Sequence, residues 1–232
     1  MARGTTFLAL QDMLKDELGL STNVGIGIDG MSQIKRHINR GYALVYDAYD
    51  WPHLRTVADR FTLNAGQRLY DFPADVSFER TQSIAVYNGA IAYEIAKGIT
   101  SREYTIFDSE SNVRSDPAQK WDIRWSGTAP QIEIWPIPDS SGQTCEVVGL
   151  PPFVRLVDDD DVCLLDDDLV VLAASIRPLA RQDSKDGEVA KAEFQSRMAQ
   201  MRARAAPGSR VTMGGAGDSS KSNRVHVTIA GR

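Results

Sequence analysis

Residues 61–76 read FTLNAGQRLYDFPADV. The stretch opens with a strand-like run, turns at Asn64-Ala65-Gly66, resumes as Leu69-Tyr70-Asp71-Phe72 and stops at Pro73. It reads as two short strands joined by a tight turn, since Asn and Gly tolerate the left-handed backbone such turns require. What comes before has another period. In residues 31–50, Ile34, Ile38, Tyr42, Val45 and Tyr49 recur at three- and four-residue steps, while Lys35, Arg36, Asn39 and Arg40 lie off that face. That spacing is an amphipathic helix, and Pro52 disfavours helical geometry at Trp51 and ends it. The chain thus leaves a helical region at Trp51-Pro52, and residues 61–76 read as the first hairpin of an inserted β unit.

The alternation continues around that hairpin. Val57, Asp59, Phe61 and Leu63 share one side, and Leu69 and Asp71 resume it. QSIAVYN (82–88) and AIAYEIA (90–96) flank Asn88-Gly89, the strongest short hairpin signal in the chain. KWDIRW (120–125) places Trp121, Ile123 and Trp125 on one side, and QIEIWPI (131–137) and TCEVVGL (144–150) follow, joined by DSSGQ. Residues 100–111 read as a short helix or an irregular excursion. Six or seven short strands across residues 53–153 predict a small antiparallel β-sandwich or barrel.

Helical periods bracket this unit. Phe7, Leu10, Leu14 and Leu18 predict a helix over residues 6–19, capped by Thr5 or Thr6 and stopped by Gly19. Residues 21–30 read as a glycine-rich loop; their GIGIDG run has neither the preceding strand nor the following Gly-Lys-Ser/Thr of a phosphate cradle. Residues 168–182 carry Leu169, Leu172, Ala173, Ile176 and Leu179 on one face, with Pro178 expected to kink or shorten the helix. A last helix over residues 185–205 shows Ala190, Phe194, Met198 and Met201, with Ser184 as its cap. From Pro207 the chain is rich in Gly and Ser, then ends in the strand-like RVHVTIA (224–230). Apolar helix faces at both ends need cover, and packing them on each other is the simplest solution. The expected fold is α+β: an antiparallel bundle of N- and C-terminal helices (residues 1–52 and 154–206), an inserted β domain (53–153) and an extended tail (207–232).

Charge bounds the function. Acidic residues outnumber basic ones 31 to 26, giving −5, which argues against a general nucleic-acid binder. From Arg197 onward, however, seven basic residues face Asp218 alone, about +6, leaving about −11 on the body. An acidic body with a basic end suggests that the end docks on something acidic. No apolar run approaches the ~18 residues that cross a bilayer, and the acid-containing MARGTTFLALQDML does not read as a signal peptide. Cys145 and Cys163 read as two reduced, buried thiols.

Chemistry-bearing patterns are sparse. The run DDDDVCLLDDD (158–168) lacks the glycine and closing glutamate of a Ca²⁺ loop, and reads as a solvated loop leading into acids that favour a helix N-terminus. His37, His53 and His226 are scattered, and no zinc or nucleophile motif occurs. Trp121, Trp125 and Trp135 suit a β core better than a sugar-stacking platform. No cofactor, metal or catalytic residue is expected.

Taken in order, several stretches carry a resemblance: YDAYDWPHLR (46–55), RFTLNAGQRLYDFPADV (60–76), GTAPQIEIWPIPDSSGQTCEVVGL (127–150) and LVDDDDVCLLDDDLVVLAASIRPLA (156–180). Their succession resembles the head-to-tail adaptor (head-completion) proteins of short-tailed and related tailed phages, over roughly residues 5–205; the end after Pro207 matches no pattern of that family. The resemblance implies a structural virion protein at the head–tail junction, made in the host cytoplasm. It implies a homo-oligomeric ring, commonly of twelve copies, beneath the portal protein and above a tail or nozzle protein. Double-stranded DNA would pass through its channel without being read, and no membrane is involved. Asp158, Asp159, Asp160 and Asp161 would then suit an acidic channel wall that repels phosphates. Arg210, Lys221, Arg224, Val225, His226, Val227, Thr228 and Ile229 would order on the portal or on a neighbouring copy. The competing expectation is a carbohydrate- or receptor-binding virion module that uses the β domain.

Overall fold

The structure is a computed structural model and describes residues 4–20, 28–106 and 113–205. A short strand, β1 (Thr5–Thr6), leads directly into helix α1 (Phe7–Glu17). Thr6 caps that helix as predicted, its hydroxyl accepting from the Ala9 N–H at 3.4 Å. Gly19, at φ +65°, follows its end, and Phe7, Leu10 and Leu14 are buried. Helix α2 (Ile28–Ala48) starts earlier than the sequence suggests, so residues 28–30 are helical and not loop; residues 21–27 lie outside the described residues. Its predicted apolar face holds: Ile34, Ile38, Tyr42 and Val45 are buried. A 3₁₀ turn, Pro52–Leu54, follows Trp51 as the chain leaves.

The β unit consists of β2 (Thr56–Val57), β3 (Phe61–Thr62), β4 (Leu69–Asp71), β5 (Thr81–Asn88), β6 (Ile91–Lys97), β7 (Lys120–Trp125), β8 (Pro130–Trp135) and β9 (Thr144–Gly149). Helix α3 (Ser101–Ile106) lies between β6 and β7. The strands form one sheet in the order β2-β9-β5-β6-β7-β8-β4, with β3 also on β9. The sheet curls into a half-barrel. Two expectations are corrected here: the unit is a single curled sheet, neither sandwich nor closed barrel, and β6 and β7 run parallel. The β5–β6 hairpin forms where predicted, with Asn88 opposite Ile91 and Gly89, at φ +60°, in the two-residue loop.

Residues 61–76 are not a hairpin. Phe61 pairs with Cys145 on β9, whereas Tyr70 pairs with Ile132 on β8, at the other end of the strand order. The turn at Asn64–Gln67 (Gln67 N–H to Asn64 carbonyl, 3.1 Å) therefore bridges the two edges of the curled sheet. Tyr70 spans the gap: its hydroxyl accepts from the Asn64 N–H at 3.0 Å and its ring lies 5.4 Å from that of Phe61. The single-sided reading of residues 57–63 also fails. Val57 opposes Val148 and Phe61 opposes Cys145, so four steps on one strand match three on the other. A one-residue slip exchanges the faces. Ala58 and Leu63 are accordingly buried, Val57 is 56% exposed, and on β4 it is Tyr70, not Leu69, that points inward.

After β9 the chain runs to β10 (Val162–Cys163), which pairs antiparallel with β1. Helix α4 (Asp167–Gln182) follows, then α5 (Ser184–Ala205). Helix α4 runs through Pro178 without stopping; near a helix end, proline removes one hydrogen bond, and tertiary packing outweighs that loss. Its buried face is displaced from the predicted one: Leu169, Val170, Val171, Ala174 and Ser175 are buried, while Leu172, Ala173, Ile176 and Leu179 are only half-buried, because α4 packs against α1, α2 and α5. Ala190, Met198 and Met201 of α5 are buried as expected; the helix begins at Ser184 itself, and Asp183 before it accepts from the Lys185 N–H at 2.8 Å. The apolar residues form two clusters. One joins α1, α2, α4 and α5 with Trp51, Leu54, Leu150 and Leu156. The other fills the concave side of the sheet around Leu63, Tyr70, Ile84, Trp121, Ile132 and Val147.

Candidate functional site

The two clusters meet where α2 ends. A helix leaves its last carbonyls without intrahelical partners, and α2 has no basic residue in its last turn. Arginines from distant elements supply the donors. Arg80, just before β5, donates to the Tyr46 and Tyr49 carbonyls and to the Asp50 carboxylate, and its guanidinium lies 4.7 Å over the Tyr46 ring. Arg202 of α5 donates to the Ala48 carbonyl. The Trp51 indole N–H returns to the Val45 carbonyl at 2.9 Å. The exit of the chain from the helices is thus fixed from both sides.

On the sheet, Glu133 of β8 is wholly buried and paired with Arg68 and Arg124, and the Tyr104 hydroxyl donates to it at 2.8 Å. Lys120 pairs with Glu103 and Thr100 donates to it, which together hold the Glu103 carboxyl near 2. These arrangements match the charges of Glu133 and Glu103 with cations from neighbouring elements. Trp121 and Trp135 are buried, while Trp125 is 62% exposed and sits 6.2 Å from Phe78. The three do not make a common stacking platform. Cys145 and Cys163 are both unpaired and buried, one in each cluster, and burial pushes their thiols up to about 12 and about 11.

The acidic segment divides in two. Asp161 folds back, accepting from the Val157 and Asp158 N–H groups at 2.6 and 2.9 Å. Asp159 pairs with Lys35 at 2.8 Å and accepts from Gln11 at 3.1 Å. These contacts hold both carboxyls below their usual range. Backbone bonds from Phe7 and Leu8 to the Asp161 and Asp159 carbonyls fasten the turn to α1. Asp158 and Asp160 are left exposed, with no hydrogen bond or ion pair from their side chains among the described residues. Asp166–Asp168 bring their oxygens within 4.8 Å of one another. Most of that capacity is committed: Asp166 caps Leu169, Arg197 pairs with Asp166 and Asp168, and Thr5 donates to Asp167.

Positive charge gathers between α2 and α4. Arg36 and Arg40 are one turn apart on α2, and Arg177 and Arg181 one turn apart on α4. With Gln33 and His37 they line a groove of about 440 Å³. All four arginines are exposed, and among the described residues no carboxylate pairs with any of them. Burial, then Arg181, Arg40 and Arg177, push the His37 imidazole below 6.5. Gly41 makes this approach of helices feasible: a Cβ there would stand 2.7 Å from the Val170 carbonyl oxygen and 2.8 Å from the Ala174 nitrogen.

Sequence reasoning located the acids Asp158–Asp161 but not their inward commitments, and missed the arginine groove. The i,i+4 pairs Arg36/Arg40 and Arg177/Arg181 were the available signal; their convergence needed the tertiary structure. Arg210, Lys221 and Arg224–Ile229 lie outside the described residues. Among the described residues no helix is long and apolar enough to cross a membrane. A model of the family described as SU10 adaptor protein matches residues 5–216. No curated protein matches the chain.

Proposed function

Because the chain belongs to the SU10 adaptor protein family, a phage head-to-tail adaptor family, we propose that it is a structural ring subunit beneath the portal, joining the capsid to the tail. The observation that carries this reading is the extent of the match, which runs unbroken through the helices and the β unit. Helices α1, α2, α4 and α5 form an antiparallel bundle that builds the ring wall around the DNA channel. Residues 53–153 are an insertion presented outward or toward the tail. An overall charge of −5 suits a conduit that must not hold the DNA it passes. The role is assembly, not catalysis, and it places the protein at the head–tail junction of the virion.

Residues 207–232, basic and rich in Gly and Ser before a final strand-like run, are proposed to engage the portal or a neighbouring copy by strand addition and charge. The test uses portal-bearing heads. Electron microscopy of heads incubated with the full chain is expected to show a ring at the portal vertex. The chain ending at residue 206 is expected to keep its circular dichroism spectrum and to lose attachment in a pull-down. Heads that acquire no ring from the full chain would overturn the adaptor reading; attachment by the shortened chain would overturn the role given to its end.

A further inference from the structure

Among the described residues the arginine groove between α2 and α4 has no carboxylate partner, although the chain carries more carboxylates than cations. Guanidinium groups left together repel one another, and Arg181, Arg40 and Arg177 already disfavour a proton on His37 beside them. An external anion placed in the groove relieves that repulsion. Arginine's planar fork accepts carboxylates in two-point contacts.

The same chain presents such an anion. The turn at residues 157–161 is held rigid by Asp161 on its own backbone and by the bonds from Phe7 and Leu8. Asp158 and Asp160 stand exposed on it. A preorganised turn loses little entropy on docking. The acidic turn meets α2 on its Lys35 and Asn39 side, while the groove begins at Arg36 and Arg40 and extends past His37 to α4; Lys35 and His37, two apart, are about 200° apart around the helix axis. Near the turn, Lys35 is neutralised by Asp159, while Arg155, Arg36 and Arg40 line the pocket beside Val157.

We propose that the acidic turn of one copy docks in the arginine groove of the next. Two different, complementary surfaces on one chain give a heterologous, head-to-tail contact, the kind that generates a ring when the rotation closes. The inference rests on the ring reading above and names the contact that would close it. It places Asp158 and Asp160 between copies and not on the channel wall.

Sedimentation of the full chain over a concentration series tests the contact. The expected result is mass growth with concentration that weakens as salt rises. R36E/R177E and D158K/D160K, each with an unchanged circular dichroism spectrum, are each expected to weaken association at least tenfold. The chain carrying all four changes is expected to recover it, because the charges are exchanged across the contact. A wild-type chain that stays monomeric throughout, or association that survives either pair of changes, overturns the proposal. So does a four-fold variant that fails to recover. Binding of a fluorescein-labelled DNA duplex that is lost in R36E/R177E, with association unchanged, also overturns it by assigning the groove to phosphates. Rings on portal-bearing heads that tolerate both charge reversals would sink this contact and leave the adaptor reading standing. Salt-sensitive association without any ring on heads would do the reverse.

Discussion

At the scale of single residues, the groove histidine couples charge to stability. His37 is kept neutral by burial first, then by Arg181 and Arg40, with Arg177 contributing less. Its pKa in the folded chain therefore lies below the ordinary 6.5. The unfolded chain takes up the proton first as pH falls, so stability from this site is fully present above about 6.5 and is lost as pH drops through the lower folded value. Urea midpoints of the wild type should fall between pH 7.5 and pH 5.5, and His37→Gln should show a shallower fall. Equal slopes in the two proteins would show that the histidine is not held neutral. The buried Glu133 differs in kind: its charge is matched by Arg68 and Arg124, which bind the sheet together. Nothing in residues 130–135 announced that pairing, since the partner Arg68 comes from beyond the turn that joins the sheet edges.

At the scale of elements, legibility followed locality. The cap and period of α1, the period of α5 and the turn of the β5–β6 hairpin are specified within their own segments, and these were readable. The slip between Val57 and Phe61 was not, because it is defined against β9, far along the chain. The full buried face of α4 was hidden for a related reason: a helix packed against three others loses the polar stripe that marks a single face. The contact between α2 and α4 turns on Gly41, whose missing side chain lets the two backbones approach. A methyl group there meets backbone atoms that have no rotamer to yield. Gly41→Ala should gain about 1 kcal/mol from helix propensity and lose about 2–3 kcal/mol to overpacking. The expected net loss of about 1–2 kcal/mol is readable as a lower urea midpoint with an unchanged slope. A stabilised variant would mean that the helices separate at little cost.

At the scale of the whole molecule, two hydrophobic clusters are joined where the chain crosses between them near Trp51 and again near Leu150. Leu54 and Leu150 belong to the helical cluster although they adjoin the first and last strands of the sheet edge. Arg80 makes the connection directional. It stands on the β side, is largely buried (side chain 14% exposed), and spends its donors on the last turn of α2. Arg80→Met keeps much of the aliphatic volume and removes those donors, leaving the Tyr46 and Tyr49 carbonyls without Arg80 as a partner. A loss of about 2–3 kcal/mol is expected for charge-assisted bonds of this kind. Its distribution is the informative part. If the two clusters are separately stable and Arg80 is their fastener, hydrogen exchange should accelerate at Leu54, Arg55 and Ala58, while amides of β5 and β9 keep their protection. Uniform acceleration across both clusters would instead mean that they unfold as one cooperative unit. A load applied to either cluster would then be carried by the whole fold, and not by a joint at the end of α2.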